Sequence, residues 1–231
     1  MSSLHFIEKT KPVTVPGGIF FVSRVKNAFH ELVKLKFNEQ VKYNPFCDET
    51  QSLYDTDFFD NASTSKMKML YDIIVTPIAL QHLNNIANIL YSDLKSTPMI
   101  LNSRMWFQSY SKNDTHPWHT HTDCMFSSVY YINKPASSPN TSFKYMNSDV
   151  FSVDVSEGDI LTFPSLYPHC SKPYSKPYSN DLCANSPQNL ATEATSLKSI
   201  IAFNTNFELL DPREIILNKK SWYETVCDIH H

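Results

Sequence analysis

The sequence predicts a mainly β fold with flanking helices: an antiparallel barrel or jelly roll carrying a helical layer on its N-terminal side. Beyond Pro98, short runs rich in β-branched and aromatic residues alternate with turn clusters. Before Pro98, two segments carry apolar residues at the helical period. The chain has 231 residues, 42% of them hydrophobic, which suits one domain with a substantial core.

The elements follow in chain order. Ser23 is placed to cap a helix over about 24–37, with Val25, Ala28, Phe29, Leu32 and Val33 at helical spacing. Residues 38–65 read as a long polar loop punctuated by Asn44-Pro45 and Asp60-Asn61. Thr76-Pro77 reads as a cap followed by proline at the first helical position. Leu80, Leu83, Ile86, Ala87, Leu90 and Leu94 then form one stripe, carrying a second helix to about 95. Strands are expected over 105–110, 126–132, 150–155, 160–163 and 199–207. Residues 171–197 contain Ser-Lys-Pro-Tyr twice in tandem and then a polar stretch, the composition of an irregular surface insertion at the open end of a barrel. The expected organisation is a single domain over 1–231, with 1–100 as helical support, 101–207 as the β core and 208–231 as a tail.

Composition narrows the function classes. Twenty Lys+Arg against 23 Asp+Glu leave a net charge of −3, so no basic surplus points to nucleic acid or an anionic membrane. No apolar run reaches the roughly 18 residues of a membrane helix, and Met1-Ser-Ser-Leu-His lacks the form of a signal peptide. The five cysteines show no C-x-x-C spacing and read as reduced thiols of a cytoplasmic protein. With only three glycines, Asn and Asp must serve many of the turns.

The chemistry concentrates in the histidines. His116, His119 and His121 fall within six positions, and Asp123 follows. In an extended segment 119, 121 and 123 project to one face, and two adjacent members of that set can reach one metal ion. The rival pairs are His119 with His121 and His121 with Asp123. Two imidazoles and a carboxylate suit Fe(II) in a facial triad with open positions. Three histidines would suit a cupin-like metal enzyme. The distant ligand is His169, after the turn and strand-like run Glu157-Gly-Asp-Ile-Leu-Thr-Phe-Pro-Ser165.

Five segments, in order, carry a resemblance: Trp106-Phe-Gln-Ser-Tyr110, Trp118-His-Thr-His-Thr-Asp123, Ser128-Val-Tyr-Tyr-Ile-Asn133, Glu157–Ser165 with His169, and Lys198-Ser-Ile-Ile-Ala-Phe-Asn204. The stretch 101–207 resembles the 2-oxoglutarate/Fe(II)-dependent dioxygenases, nearest to the prolyl-hydroxylase-like branch and its phage and marine bacterial relatives. The resemblance implies a double-stranded β-helix (jelly roll, cupin-like) and the cofactors Fe(II), 2-oxoglutarate and O2. It implies a hydroxylase that couples oxidative decarboxylation of 2-oxoglutarate to oxidation of a small-molecule or peptide substrate. It implies iron held by His121, Asp123 and His169, because the spacing from Tyr110 to His121 is similar to the family's. His119 and Trp118 then stand beside the ligands. Lys198 takes the far carboxylate of 2-oxoglutarate, assisted by Tyr131 and Tyr110, with Asn133 a lesser candidate. The relatives usually carry Arg at the Lys198 position, and the 171–197 insertion lengthens the interval between His169 and Lys198. The alternatives are a cupin-like metalloenzyme without 2-oxoglutarate and a non-catalytic jelly-roll module.

Overall fold

The computed structural model describes residues 4–41, 55–58, 65–92, 98–110, 114–146, 149–173 and 197–209. It opens with a hairpin. Strands β1 (Ile7–Val15) and β2 (Gly18–Val25) pair antiparallel across a turn at Pro16-Gly17. Gly17 has φ 81°, a left-handed conformation that glycine adopts freely, and a Cβ there would run into the Tyr145 ring.

This hairpin corrects the expected helix start. Ser23 caps nothing; it lies inside β2, where Phe20 to Val25 alternate between the two faces of a sheet. The helix, α1, runs Asn27–Gln40 and buries His30, Val33 and Phe37. The second expected helix also begins earlier. A helical run, α2, spans Lys68–Leu90 and includes a π turn at Tyr71–Val75. Thr76 is already helical, and its N–H bonds the carbonyl of Tyr71. The wide turn sits just before Pro77, whose ring and missing N–H do not fit a regular helical interior. By length and hydropathy α2 would also suffice to cross a bilayer; here Val75, Ile78, Leu83 and Ile86 pack into the core.

The remaining strands are β3 (Asp55–Thr56), β4 (Pro98–Tyr110), β5 (His116–His119), β6 (Phe126–Asn133), β7 (Ser142–Phe143), β8 (Phe151–Ser152), β9 (Asp159–Pro164), β10 (His169–Ser171) and β11 (Lys198–Leu209). All pairings are antiparallel. One sheet has the order β1-β2-β9-β6-β11-β4-β3, and the other β5-β10-β7-β8. From β4 onward the chain passes repeatedly between them: β4, β6, β9 and β11 lie in the large sheet, and β5, β7, β8 and β10 in the small one. This winding is the double-stranded β-helix. The expected strand over 150–155 shrinks to Phe151–Ser152, while β5, β7 and β10 arise in segments too short and polar to read as strands.

Alternation along the large sheet divides the core. Phe21, Phe107, Tyr130, Ile132, Ile160, Ile201 and Phe203 join the helices in one cluster. Phe20, Val22, Tyr110, Val129, Tyr131, Leu161, Phe163 and Ile200 join the small sheet in the other. The helical layer therefore covers one face of the large sheet, and a cavity opens on the other.

Candidate metal site and its cavity

Strand β10 pairs with β5 so that His169 stands opposite His119. Directly opposed residues of an antiparallel pair project to the same face, so both imidazoles point between the sheets. The chain leaves β5 after His119, and the His121 N–H bonds the carbonyl of Ser165. His121 is thereby brought over the same point. Potential ligand atoms of His119, His121 and His169 all lie within 4.8 Å of one another. The His121 and His169 rings are stacked at 5.3 Å, and the Trp106 ring also stacks on His121 at 5.9 Å.

The hydrogen bonds of His119 and His169 suit them to a metal. Nδ1 of His169 lies 2.9 Å from the Tyr167 carbonyl, and Nδ1 of His119 lies 2.8 Å from the Pro117 carbonyl. A carbonyl only accepts, so each Nδ1 carries the proton and each Nε2 keeps a bare lone pair. Burial lowers the pKa of His119; burial first, with neighbouring imidazoles adding to it, lowers that of His121 to about 4 and that of His169 to about 3. All three are neutral at pH 7, the state in which imidazole binds metal.

The trio differs from the expected His121, Asp123 and His169. The chain bends at 122–123 instead of continuing extended, and Asp123 is exposed. The strand alternation that would have aligned 119, 121 and 123 thus ends with the strand. Asp123 is not a member of the three-residue group, the single such group among the described residues.

The three histidines line a cavity of about 260 Å³ that also receives Trp106, Gln108, Tyr110, Thr141, Ser171 and Lys198. Lys198 opens β11 opposite Tyr110 on β4. It is 2% exposed, and its ammonium donates to the Pro139 carbonyl and the Ser171 hydroxyl, each at 3.1 Å. The same ammonium stands 5.6 Å from the Tyr110 ring centroid. No carboxylate among the described residues forms an ion pair with it. Desolvation, with a smaller contribution from Lys134, pulls its pKa down to about 8. A buried ammonium held only by neutral acceptors is an anion site in waiting.

The other expected residues are placed as follows. Tyr110 lines the cavity, and its hydroxyl donates to Gln108 Oε1. Tyr131 is buried behind the wall, bonded to Thr141 at 2.8 Å, and Thr141 is the residue that reaches the cavity. Asn133 bonds Asn38 of α1 at 3.0 Å, away from the cavity. A register shift between β6 and β11 explains this: Ile200 pairs Tyr131 while Ser199 pairs Asn133, so the alternation breaks between them. Trp118 is exposed, with the Lys144 ammonium 4.5 Å above its ring. His116 is an additional member, brought beside His119 at 4.2 Å by a bulge in β5. Residues 174–196 of the expected insertion lie outside the described residues, but Ser171 and Lys198 at its ends both line the cavity.

The fold and site together define a double-stranded β-helix with a three-histidine cluster and a buried cation in one cavity. No family model and no curated protein matches the chain. Solved structures similar to it include 2OG-Fe(II) oxygenases. A family oxidoreductase from Burkholderia pseudomallei is 7% identical with a TM-score of 0.44, and the match covers 59% of this chain and 57% of that one. A prolyl-4-hydroxylase from Pseudomonas putida is 13% identical with a TM-score of 0.44, covering 83% and 92%. HygX from Streptomyces hygroscopicus, solved with nickel and 2-oxoglutarate bound, is 9% identical with a TM-score of 0.46, covering 80% and 81%.

Proposed function

We propose that the chain is a non-haem Fe(II) oxygenase that couples oxidative decarboxylation of 2-oxoglutarate to oxidation, by hydroxylation, of a small-molecule or peptide substrate. One observation carries this reading: a neutral three-histidine cluster and a buried ammonium with no carboxylate partner among the described residues line the same small cavity. Those are the two recognition elements that a metal-chelating dicarboxylate requires.

His119, His121 and His169 would hold the metal. Bound there with 2-oxoglutarate, Fe(II) supplies the activation of O2. The protein's own contribution is positional. Lys198 fixes the far carboxylate, with Ser171 beside it and the Tyr110 ring limiting its movement. Trp106, Val129, Phe163, Ile200 and Ala202 form apolar wall that keeps water from the reacting groups.

The test is anaerobic titration of the full chain with Fe(II) and then 2-oxoglutarate. The expected result is a weak visible charge-transfer band at one equivalent of each, with succinate formed when O2 is admitted. Failure of the iron-loaded protein to bind 2-oxoglutarate would contradict the proposal. The three-histidine cluster also favours a second reading, a cupin-like metalloenzyme that needs no 2-oxoglutarate; turnover with iron and O2 alone would select it.

A further inference from the structure

We infer that Asn204 is a positioning residue that decides whether His121 can take a metal, by presenting either its amide nitrogen or its amide oxygen to the imidazole. The inference rests on the proposed metal-binding role of the trio and extends it to a residue outside that trio.

Asn204 lies on β11, opposite Ser127 of β6, and is 4% exposed. Its Nδ2 stands 3.2 Å from Nδ1 of His121, and its Oδ1 accepts a hydrogen bond of 3.0 Å from the Ser127 hydroxyl. In this orientation the amide donates to Nδ1. A neutral imidazole that accepts at Nδ1 carries its proton on Nε2, the nitrogen facing away from Asn204. That proton blocks the lone pair a metal needs. His119 and His169 have no such choice, because backbone carbonyls hold the proton on their Nδ1 atoms. His121 alone of the three is held by a group that can either donate or accept.

Turning the Asn204 amide over removes the block. Oδ1 then accepts from His121 Nδ1–H, and Nε2 is bare. Nδ2 now donates to Ser127 Oγ, which can accept as readily as it donates. The Ser127 proton is free to turn to Cys124 Sγ, 3.8 Å away. The Asn204 amide, the Ser127 hydroxyl and His121 Nδ1 each keep a partner in both arrangements, so burial does not prevent the exchange. Proton count is conserved: the imidazole proton moves from Nε2 to Nδ1 through solvent exchange, and the ring stays neutral. Trp106, stacked on His121, restricts the ring plane and leaves the tautomer as the free variable.

The test uses the full-length chain and two variants, Asn204→Asp and Asn204→Leu. A carboxylate can only accept, so Asn204→Asp imposes the Nδ1–H tautomer; leucine offers neither donor nor acceptor. Nitrogen-15 NMR of the metal-free proteins should show His121 protonated on Nε2 in the natural chain and on Nδ1 in Asn204→Asp. Anaerobic Ni(II) titration should show Asn204→Leu weakened about 10–100-fold and Asn204→Asp at least as tight as the natural chain. Equal Ni(II) affinity in all three proteins, or the same His121 tautomer in the natural chain and Asn204→Asp, would overturn the inference while leaving the metal site standing. Absence of Ni(II) binding by the natural chain would overturn both.

Discussion

Replacing Lys198 by Met separates two effects of one buried charge. The Lys198 pKa, held at about 8 against an ordinary 10.5, means that charge burial costs the native state about 3 kcal/mol at neutral pH. The unfolded chain binds the proton more tightly than the native one, so stability rises as pH climbs from about 8 towards 10.5. Methionine removes that cost and preserves most of the buried volume, but it takes away the ammonium that donates to the Pro139 carbonyl and the Ser171 hydroxyl. Those losses are worth about 1–3 kcal/mol each. The two effects nearly cancel, so the Lys198→Met protein should melt close to the natural chain when no ligand is present. Its response to 2-oxoglutarate should differ sharply. Losing one partner of a buried charge pair costs about 2–5 kcal/mol, roughly 30-fold to a few thousand-fold in affinity. Thermal melts of the iron-loaded proteins under argon, across a range of 2-oxoglutarate concentrations, measure both quantities. Equal stabilisation of the two proteins by 2-oxoglutarate would refute the anchoring role. A variant that fails to fold without ligand would refute the charge argument.

Three further outcomes follow from the same geometry. His82 is fully buried between the Ser23 and Thr162 hydroxyls, each 2.6 Å away, and its pKa falls to about 3 through desolvation. The unfolded chain takes up that proton first, so stability should decline below pH 6.5 towards pH 3, by up to about 1.4 kcal/mol per pH unit from this group; His82→Leu should lose that share of the slope in urea melts while costing about 2–3 kcal/mol at pH 8. Gly158 has φ 88°, and a Cβ there would meet an Arg24 guanidinium nitrogen at 2.8 Å. Gly158→Ala should lower stability by about 1–3 kcal/mol in the same assay, with an unchanged midpoint counting against the strain argument. Tyr131→Phe removes the bond to the cavity-lining Thr141 but takes no cavity-lining side chain away, so it should raise the 2-oxoglutarate requirement much less than Lys198→Met; an equal rise would place its hydroxyl on the ligand.

The long central strands were legible because alternating apolar residues reveal both the strand and its two faces. Ser128 to Ile132 and Ser199 to Phe203 belong to this class. The histidine cluster and Lys198 were legible because their residue types are costly to bury without a purpose. What stayed hidden depended on pairing. His116–His119 and His169–Ser171 are strands only because they pair with each other, and nothing in Pro117 or His119 favours that conformation locally. The alternation that puts 119, 121 and 123 on one face ends with β5, so Asp123 stands apart from the three imidazoles, and Asn133, a lesser candidate through the family resemblance, lies beyond a register shift. The end of β2 was hidden because Val25 also matches the helical period of the apolar residues in α1. Asn204 stood at the end of the Lys198-Ser-Ile-Ile-Ala-Phe-Asn204 segment, but its contact with His121 spans 83 positions and emerges only from the ladder.

The identity of the metal ligands is tested most directly by anaerobic Fe(II) binding to His119→Ala and Asp123→Ala, measured side by side with the natural chain. The geometry predicts that His119→Ala loses stoichiometric iron binding, because it removes one of three convergent imidazoles, whereas Asp123→Ala keeps iron with an affinity close to the natural value. Retention of iron by His119→Ala together with its loss in Asp123→Ala would contradict the three-histidine centre and restore the carboxylate to the site.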